Sequence, residues 1–190
     1  MNKQKSTIIG IIIFVVFLGI AYFAYNYLAE RYKPTIEAPP TASSTEETKK
    51  YPAPDFTVLS QEGKEVKLSD FLGKPIVLNF WASWCPPCKG EMPDFNAVYP
   101  TVKDDVVFMM VDLVDGQRET QAKGEEYVVA EGFTLPIYFD VVGGKQQAAS
   151  IYGISSIPST LFIDAEGNIV TAYEGAIDQK TLLAGIELIK

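Results

Sequence analysis

The sequence predicts an α/β domain in which a central mixed β-sheet is flanked by helices, with an N-terminal β-hairpin and a strand/helix insertion. Three observations predict it. Short apolar runs at Ile76–Trp81 and Val106–Val111 have the length and continuity of strands buried on both faces. Helix signals stand between such runs, and two hairpin signals bracket them. Strand–helix–strand followed by a hairpin and a last helix is the order of a mixed sheet layered by helices.

Each element has its own reason. Phe56–Leu59 and Glu65–Leu68 flank the turn Gln61-Glu62-Gly63-Lys64 and read as the first hairpin. Residues 86–99 read as a helix that opens on prolines, which are tolerated in the first turn, with Pro93 inside it as a kink. Arg118–Glu131 reads as a helix ended by Gly132, Ile137–Phe139 as a short strand and Lys145–Tyr152 as a short helix before Gly153. Thr160–Ile163 and Ile169–Tyr173 surround Asp164-Ala165-Glu166-Gly167-Asn168, a second hairpin. Asp178 is placed to cap a final helix running to Ile189.

The N-terminal stretch is different in kind. No charged residue occurs from Ser6 to Ala29, and Ile8–Tyr25 is almost continuously apolar; crossing a bilayer core takes about 20 residues of helix. Tyr22, Tyr25 and Tyr27 gather at the far end, where aromatic rings favour the interface. Lys3 and Lys5 precede the run, and Arg31 and Lys33 follow it, so the cations and the short tail lean towards a cytoplasmic N-terminus. The expected organisation is a cytoplasmic tail (1–7), a signal-anchor helix (8–28), a linker (29–52) and the folded domain (53–190). A cleaved signal peptide is the competing reading; its apolar core would be shorter and would end on small residues. Pro39-Pro40, Ser43-Ser44 and the charges around them mark the linker as solvated.

Composition narrows the function. The formal net charge is −8, and residues 34–190 hold 12 Lys/Arg against 23 Asp/Glu. A body so acidic, with no basic stripe, is unsuited to nucleic acid. There is no His, and the two Cys stand three apart. A His general base is excluded, and two thiols cannot complete a tetrahedral zinc site, so no metal is expected.

Cys85 and Cys88 follow the buried strand at a strand-to-helix turn. A pair so spaced can close a disulfide, and a Cys at a helix N-terminus is favoured as thiolate. Cys85 can then attack a substrate disulfide, and Cys88, one turn inward, can resolve the mixed disulfide. A purely structural bridge is the bland alternative, although a loop this short restricts the unfolded chain little. The chemistry needs no cofactor beyond the Cys85–Cys88 disulfide itself.

Phe80-Trp81-Ala82-Ser83-Trp84-Cys85-Pro86-Pro87-Cys88-Lys89 resembles the thioredoxin active-site signature, and Pro93 matches that family's kink proline. Ile157-Pro158 before Ser159-Thr160 is similar to its cis-proline loop. Ala53-Pro54-Asp55-Phe56, the first hairpin, residues 69–74 and the material between Asp112 and Asp140 resemble the extracytoplasmic TlpA/ResA-type oxidoreductases. The resemblance implies a thioredoxin-like fold over about residues 51–190. It implies Cys85 as exposed nucleophile and Cys88 as buried resolving thiol. Trp84, Pro86 and Pro87 would lie beside the sulfurs, and Ile157 next to a cis Pro158 would offer backbone to an extended substrate. Trp84 could equally be a core aromatic.

One departure is informative. Asn79 stands where thioredoxins themselves carry a buried Asp, and an amide cannot titrate. Glu91, one turn beyond Cys88, matches an acidic residue of the TlpA/ResA type and could handle the proton instead; a solvated helix Glu is the alternative.

Direction follows from how comfortable the thiolate is. Pro86 and Pro87 offer no N–H to sulfur, no His lies between the cysteines, Glu91 is near, and the domain is acidic. These point to a protein-disulfide reductase, with an oxidase as the alternative. The resemblance implies disulfide-bearing protein substrates, including those of cytochrome c maturation, and a membrane electron donor of CcdA/DsbD type. Two other classes stay open. One is a redoxin-type peroxidase, which looks for a Thr three residues before the attacking Cys and a nearby Arg; Ala82 stands there, and the nearest Arg in sequence is Arg118. The other is a non-catalytic binding module.

Overall fold

The computed structural model describes residues 17–19, 22, 23, 27, 51–140 and 147–190. The chain divides into two units, Met1–Glu47 and Thr48–Lys190. In the first, the described residues are helical, with Phe17, Leu18, Tyr22, Phe23 and Tyr27 exposed. No helix among the described residues is long and apolar enough to cross a membrane. The expected tail at 1–7, most of the anchor at 8–28 and the linker up to residue 50 lie outside them.

The second unit carries the sheet. Its elements are β1 (Thr57–Ser60), β2 (Glu65–Lys67), β3 (Ile76–Trp81), α1 (Pro86–Val102), β4 (Val107–Asp112), α2 (Gln121–Ala130), β5 (Ile137–Phe139), α3 (Gln147–Ile151), β6 (Ser159–Ile163), β7 (Ile169–Glu174) and α4 (Gln179–Ile189). The described strands align in the order β2-β1-β5-β4-β3-β6-β7. β3, β4 and β5 run parallel, while β2, β1, β6 and β7 pair antiparallel with their neighbours. The expected mixed sheet is therefore present, with α2 and β5 as the inserted unit.

Alternation along the strands sorts two cores, because successive side chains leave opposite faces. Val77 and Trp81 of β3 join Phe95 of α1, Val128 of α2 and Ile186 of α4 on one face. Ile76, Leu78 and Phe80 join Phe56, Leu68 and Ala148 on the other. Asn79 shares the parity of Val77 and Trp81, so this buried amide is delivered to the face that α1 covers.

Most strands shift by a residue from the sequence reading, and four boundaries differ for a visible reason. Leu68 leaves the hairpin to open a 3-10 turn, Leu68–Phe71, in which the Asp70 carboxylate accepts the Lys67 N–H at 2.8 Å. α1 continues through Pro93 and Pro100 to Val102. Tyr51 belongs to the domain rather than the linker, since its carbonyl accepts the Ile169 N–H at 2.8 Å. α2 starts at Gln121 with Thr120 as cap, not at Arg118. The reason is a tight turn before it: the Asp115 carboxylate accepts the N–H groups of Gln117 and Glu119, each at 2.8 Å. Gly116, at φ 74°, donates to the Glu119 carbonyl at 2.9 Å, a backbone conformation that favours glycine.

Candidate active site

β3 ends at Trp81, and the chain turns through Ala82, Ser83 and Trp84 into α1, whose N-cap is Cys85. Cys85 and Cys88 are joined as a disulfide with Cα atoms 5.3 Å apart. The bridge thus sits at the carboxyl end of a central strand, where ligand chemistry of open α/β sheets collects. Pro86 and Pro87 occupy the first two helical positions. They supply no amide, but the Cys88 N–H donates to Cys85 Sγ at 3.3 Å. Reading the prolines alone missed that donor, which would favour a thiolate on Cys85 once the bridge is reduced.

The expectation of an exposed nucleophile needs correcting. Cys85 is only 2% exposed and Cys88 fully buried. The loop before β6 lies over the sulfur: the Ile157 carbonyl oxygen is 3.6 Å from Cys85 Sγ, and the Ile157–Pro158 peptide is cis. Trp84 is 37% exposed and so not a core aromatic. A groove of about 210 Å³ runs past this point, lined by Trp84, Leu113, Asp115, Arg118 and residues 154–157.

Glu91 is not a solvated helix residue. It is 2% exposed, accepting the Asn79 side-chain N–H and the Ile177 backbone N–H, both at 2.9 Å. Burial pushes its carboxyl up to about 7, against the opposing effect of the hydrogen bonds from Ile177 and Asn79. Asn79 also donates to the Thr160 hydroxyl at 2.9 Å, tying β3, β6 and α1 together behind the bridge.

Sequence reasoning missed a second group of side chains. Arg118 stacks its guanidinium carbon 3.4 Å from the centre of the Trp84 ring, so the nearest Arg in sequence also stands at the groove. Glu119, fully buried, accepts the Ser83 N–H at 2.6 Å and the Ser83 hydroxyl at 2.7 and 3.0 Å. Asp112, at the end of β4, is also fully buried. Burial first, then the charges of Glu119 and Asp115, push its carboxyl up to about 9. The signal available in sequence was slight: Asp-Gly at 115–116 marks a turn, but nothing local says which loop that turn meets.

A mixed sheet of this order, with a disulfide at the N-terminus of the helix after its central strand, defines a thioredoxin-like thiol–disulfide oxidoreductase. The chain belongs to the AhpC/TSA family, whose model matches residues 50–172. It is 30% identical over 193 residues to the thiol-disulfide oxidoreductase ResA of Geobacillus thermodenitrificans strain NG80-2, covering all of this chain and 99% of that one. Among solved structures it resembles StoA from Bacillus subtilis, with TM-score 0.59 and 29% identity over 70% of this chain and 96% of that one. The exposed lipoprotein thioredoxin of Streptococcus pneumoniae strain TIGR4 is similar at TM-score 0.61 and 30% identity, over 70% and 98%. The activity is thiol–disulfide exchange of the ResA/StoA type, acting on disulfide-bearing protein substrates.

Proposed function

We propose that this oxidoreductase works as a reductase outside the cytoplasm, held to the membrane by residues 8–28 with 1–7 inside and 29–52 as tether. The observation that carries the reductive direction is the buried Glu91 carboxyl one helical turn beyond Cys88. A carboxylate there disfavours thiolate formation nearby and so favours the disulfide, which lowers the reduction potential. The exposed apolar side chains described between residues 17 and 27 support the anchor.

In the reductive cycle the Cys85 thiolate attacks one sulfur of the substrate disulfide. A mixed disulfide forms and the first substrate thiolate leaves. Glu91 accepts the Cys88 proton; the Cys88 thiolate attacks Cys85 Sγ, and the second substrate thiolate leaves with the electron pair. Two electrons have passed to the substrate, and the bridge seen here has formed. Trp84, Pro86, Pro87, Ile157 and Pro158 form the contact surface, the Ile157 backbone pairing with an extended segment. A membrane dithiol donor of CcdA/DsbD type reduces the bridge again. Substrates include proteins whose cysteines must be reduced before use, as in cytochrome c maturation.

Trapping tests this reading. Cys88→Ser protein in its native membrane should hold substrates as mixed disulfides with Cys85 that mass spectrometry identifies. A redox-buffer titration of the wild type should give a potential near those of reducing thioredoxins. A potential as high as that of strong oxidising catalysts, or cytosolic location of the cysteines by alkylation in intact cells, would overturn it.

A further inference from the structure

We propose that Glu119 is a positioning residue of the active-site loop, and that its buried carboxylate holds Cys85 towards the protonated thiol. This rests on the reductive reading above and adds a second device for it, independent of Glu91. Both Glu119 oxygens are spent on Ser83, two residues before the nucleophile: Oε2 takes the N–H at 2.6 Å, and the hydroxyl lies 2.7 and 3.0 Å from the two oxygens. Two residues of chain span at most about 7 Å, so the carboxylate, fully buried, is bound to the same short loop that presents Cys85, itself 2% exposed. Its interaction with the sulfur is therefore poorly screened.

Among the described residues Glu119 is in no ion pair, and its carboxylate is compensated by the Ser83 N–H and hydroxyl. Asp112, from β4, is neutral at pH 7 because burial and the charges of Glu119 and Asp115 raise its carboxyl. Asp115 is committed to the backbone of its own turn. Two cations stand by the turn, both on its solvent side, where water weakens their effect. Arg118 lies over the outer Trp84 ring and 3.9 Å from Asp115 with its side chain 63% exposed, and Lys123 Nζ donates to the Gln117 and Arg118 carbonyls at 3.1 and 2.9 Å. The turn 115–119 thus grips both residues ahead of Cys85: Arg118 holds Trp84 from outside, and Glu119 holds Ser83 from within. Of the two charges, the buried one acts more strongly on the thiol.

Charge and mere scaffolding differ in the sign they give to two substitutions. Glu119→Gln removes the charge but keeps an acceptor; it should raise the ionisation constant of the Cys85 thiol, read from alkylation rate against pH, roughly tenfold. Measured at a pH above the Cys85 ionisation in both proteins, the dithiol–disulfide equilibrium should move by the same factor towards dithiol, about 30 mV for a two-electron couple. Ser83→Ala keeps the charge but removes one donor that neutralises it, and should lower the Cys85 ionisation constant about threefold. An unchanged Cys85 in Glu119→Gln, or a shift of the same sign in both variants, would overturn the proposal. Should Glu119→Gln fail to fold, Ser83→Ala decides alone: a raised or unchanged ionisation constant refutes it. Wild-type protein measured in parallel separates the two ideas. If the wild type itself has an oxidising potential, the reductive reading fails; if it is reducing and the variants leave Cys85 unmoved, only this inference fails.

Discussion

The Asn79 side-chain amide donates to the Glu91 carboxylate at 2.9 Å. The residue standing where thioredoxins carry a buried acid is thereby bound to the acid that this chain places one turn beyond Cys88. In this chain the acid stands on the helix, and the strand residue is its donor. Burial of this carboxyl, 2% exposed, drives it up to about 7, while its two N–H partners restrain the rise.

Glu91→Gln should slow resolution of the mixed disulfide on the order of 100-fold, the usual worth of a positioned base. In the wild type the resolving rate should climb with pH through about 7 as Glu91 ionises; in the variant that climb should vanish. Stopped-flow kinetics from pH 5.5 to 8.5 on the oxidation of reduced protein by a model disulfide would check both.

Asp112→Asn should flatten the dependence of stability on pH. The folded-state carboxyl is raised from the usual Asp value of 3.8 to about 9, so between those values the native state binds the proton and the unfolded chain does not. The stabilisation is complete below the unfolded value and is lost as pH rises through about 9, at no more than about 1.4 kcal/mol per pH unit. Glu91, raised from 4.5 to about 7, adds a slope of the same sign over its narrower window. Urea titrations from pH 5 to pH 9 should show wild-type stability falling and the variant falling less.

Gly185→Ala should destabilise the domain by about 1–3 kcal/mol through overpacking. A Cβ at this position of α4 would overlap the Phe162 ring, which is fully buried against the sheet and has no room to swing away. Thermal unfolding of the oxidised protein would register the loss as a lowered midpoint, with the redox potential unchanged.

Hydrogen peroxide should not be consumed at a rate that depends on Cys85. Arg118 is near the loop in space, yet the position three residues before Cys85 is Ala82 and offers no hydroxyl. A coupled peroxide assay comparing wild type with Cys85→Ser should show no difference, while disulfide reduction should disappear in the variant.

Much of this was legible along the chain. The buried strand Ile76–Trp81, the proline-led helix after it and the Asp178 cap, which accepts the Thr181 N–H at 2.8 Å, are local patterns with local causes. Helix α2 was misplaced at its start because Arg118-Glu119-Thr120 reads as helix by propensity. The Asp115 carboxylate and Gly116 instead close a turn, and Thr120 becomes the cap. The place of Arg118 was not legible for a related reason: distance in sequence says nothing about a turn that folds back onto the loop before Cys85.

The sequence by itself determined the reaction. A Cys pair three apart at a strand-to-helix turn, with no His and no further thiol, leaves thiol–disulfide exchange as its natural chemistry. Only the tertiary structure decided which groups govern that pair. Glu91 meets Ile177, 86 residues away, and Glu119 meets Ser83, 36 away. Periodicity tells each residue its face, but which strand and which turn share that face depends on how the sheet is ordered. Once that ordering buries a carboxyl, desolvation sets its proton affinity.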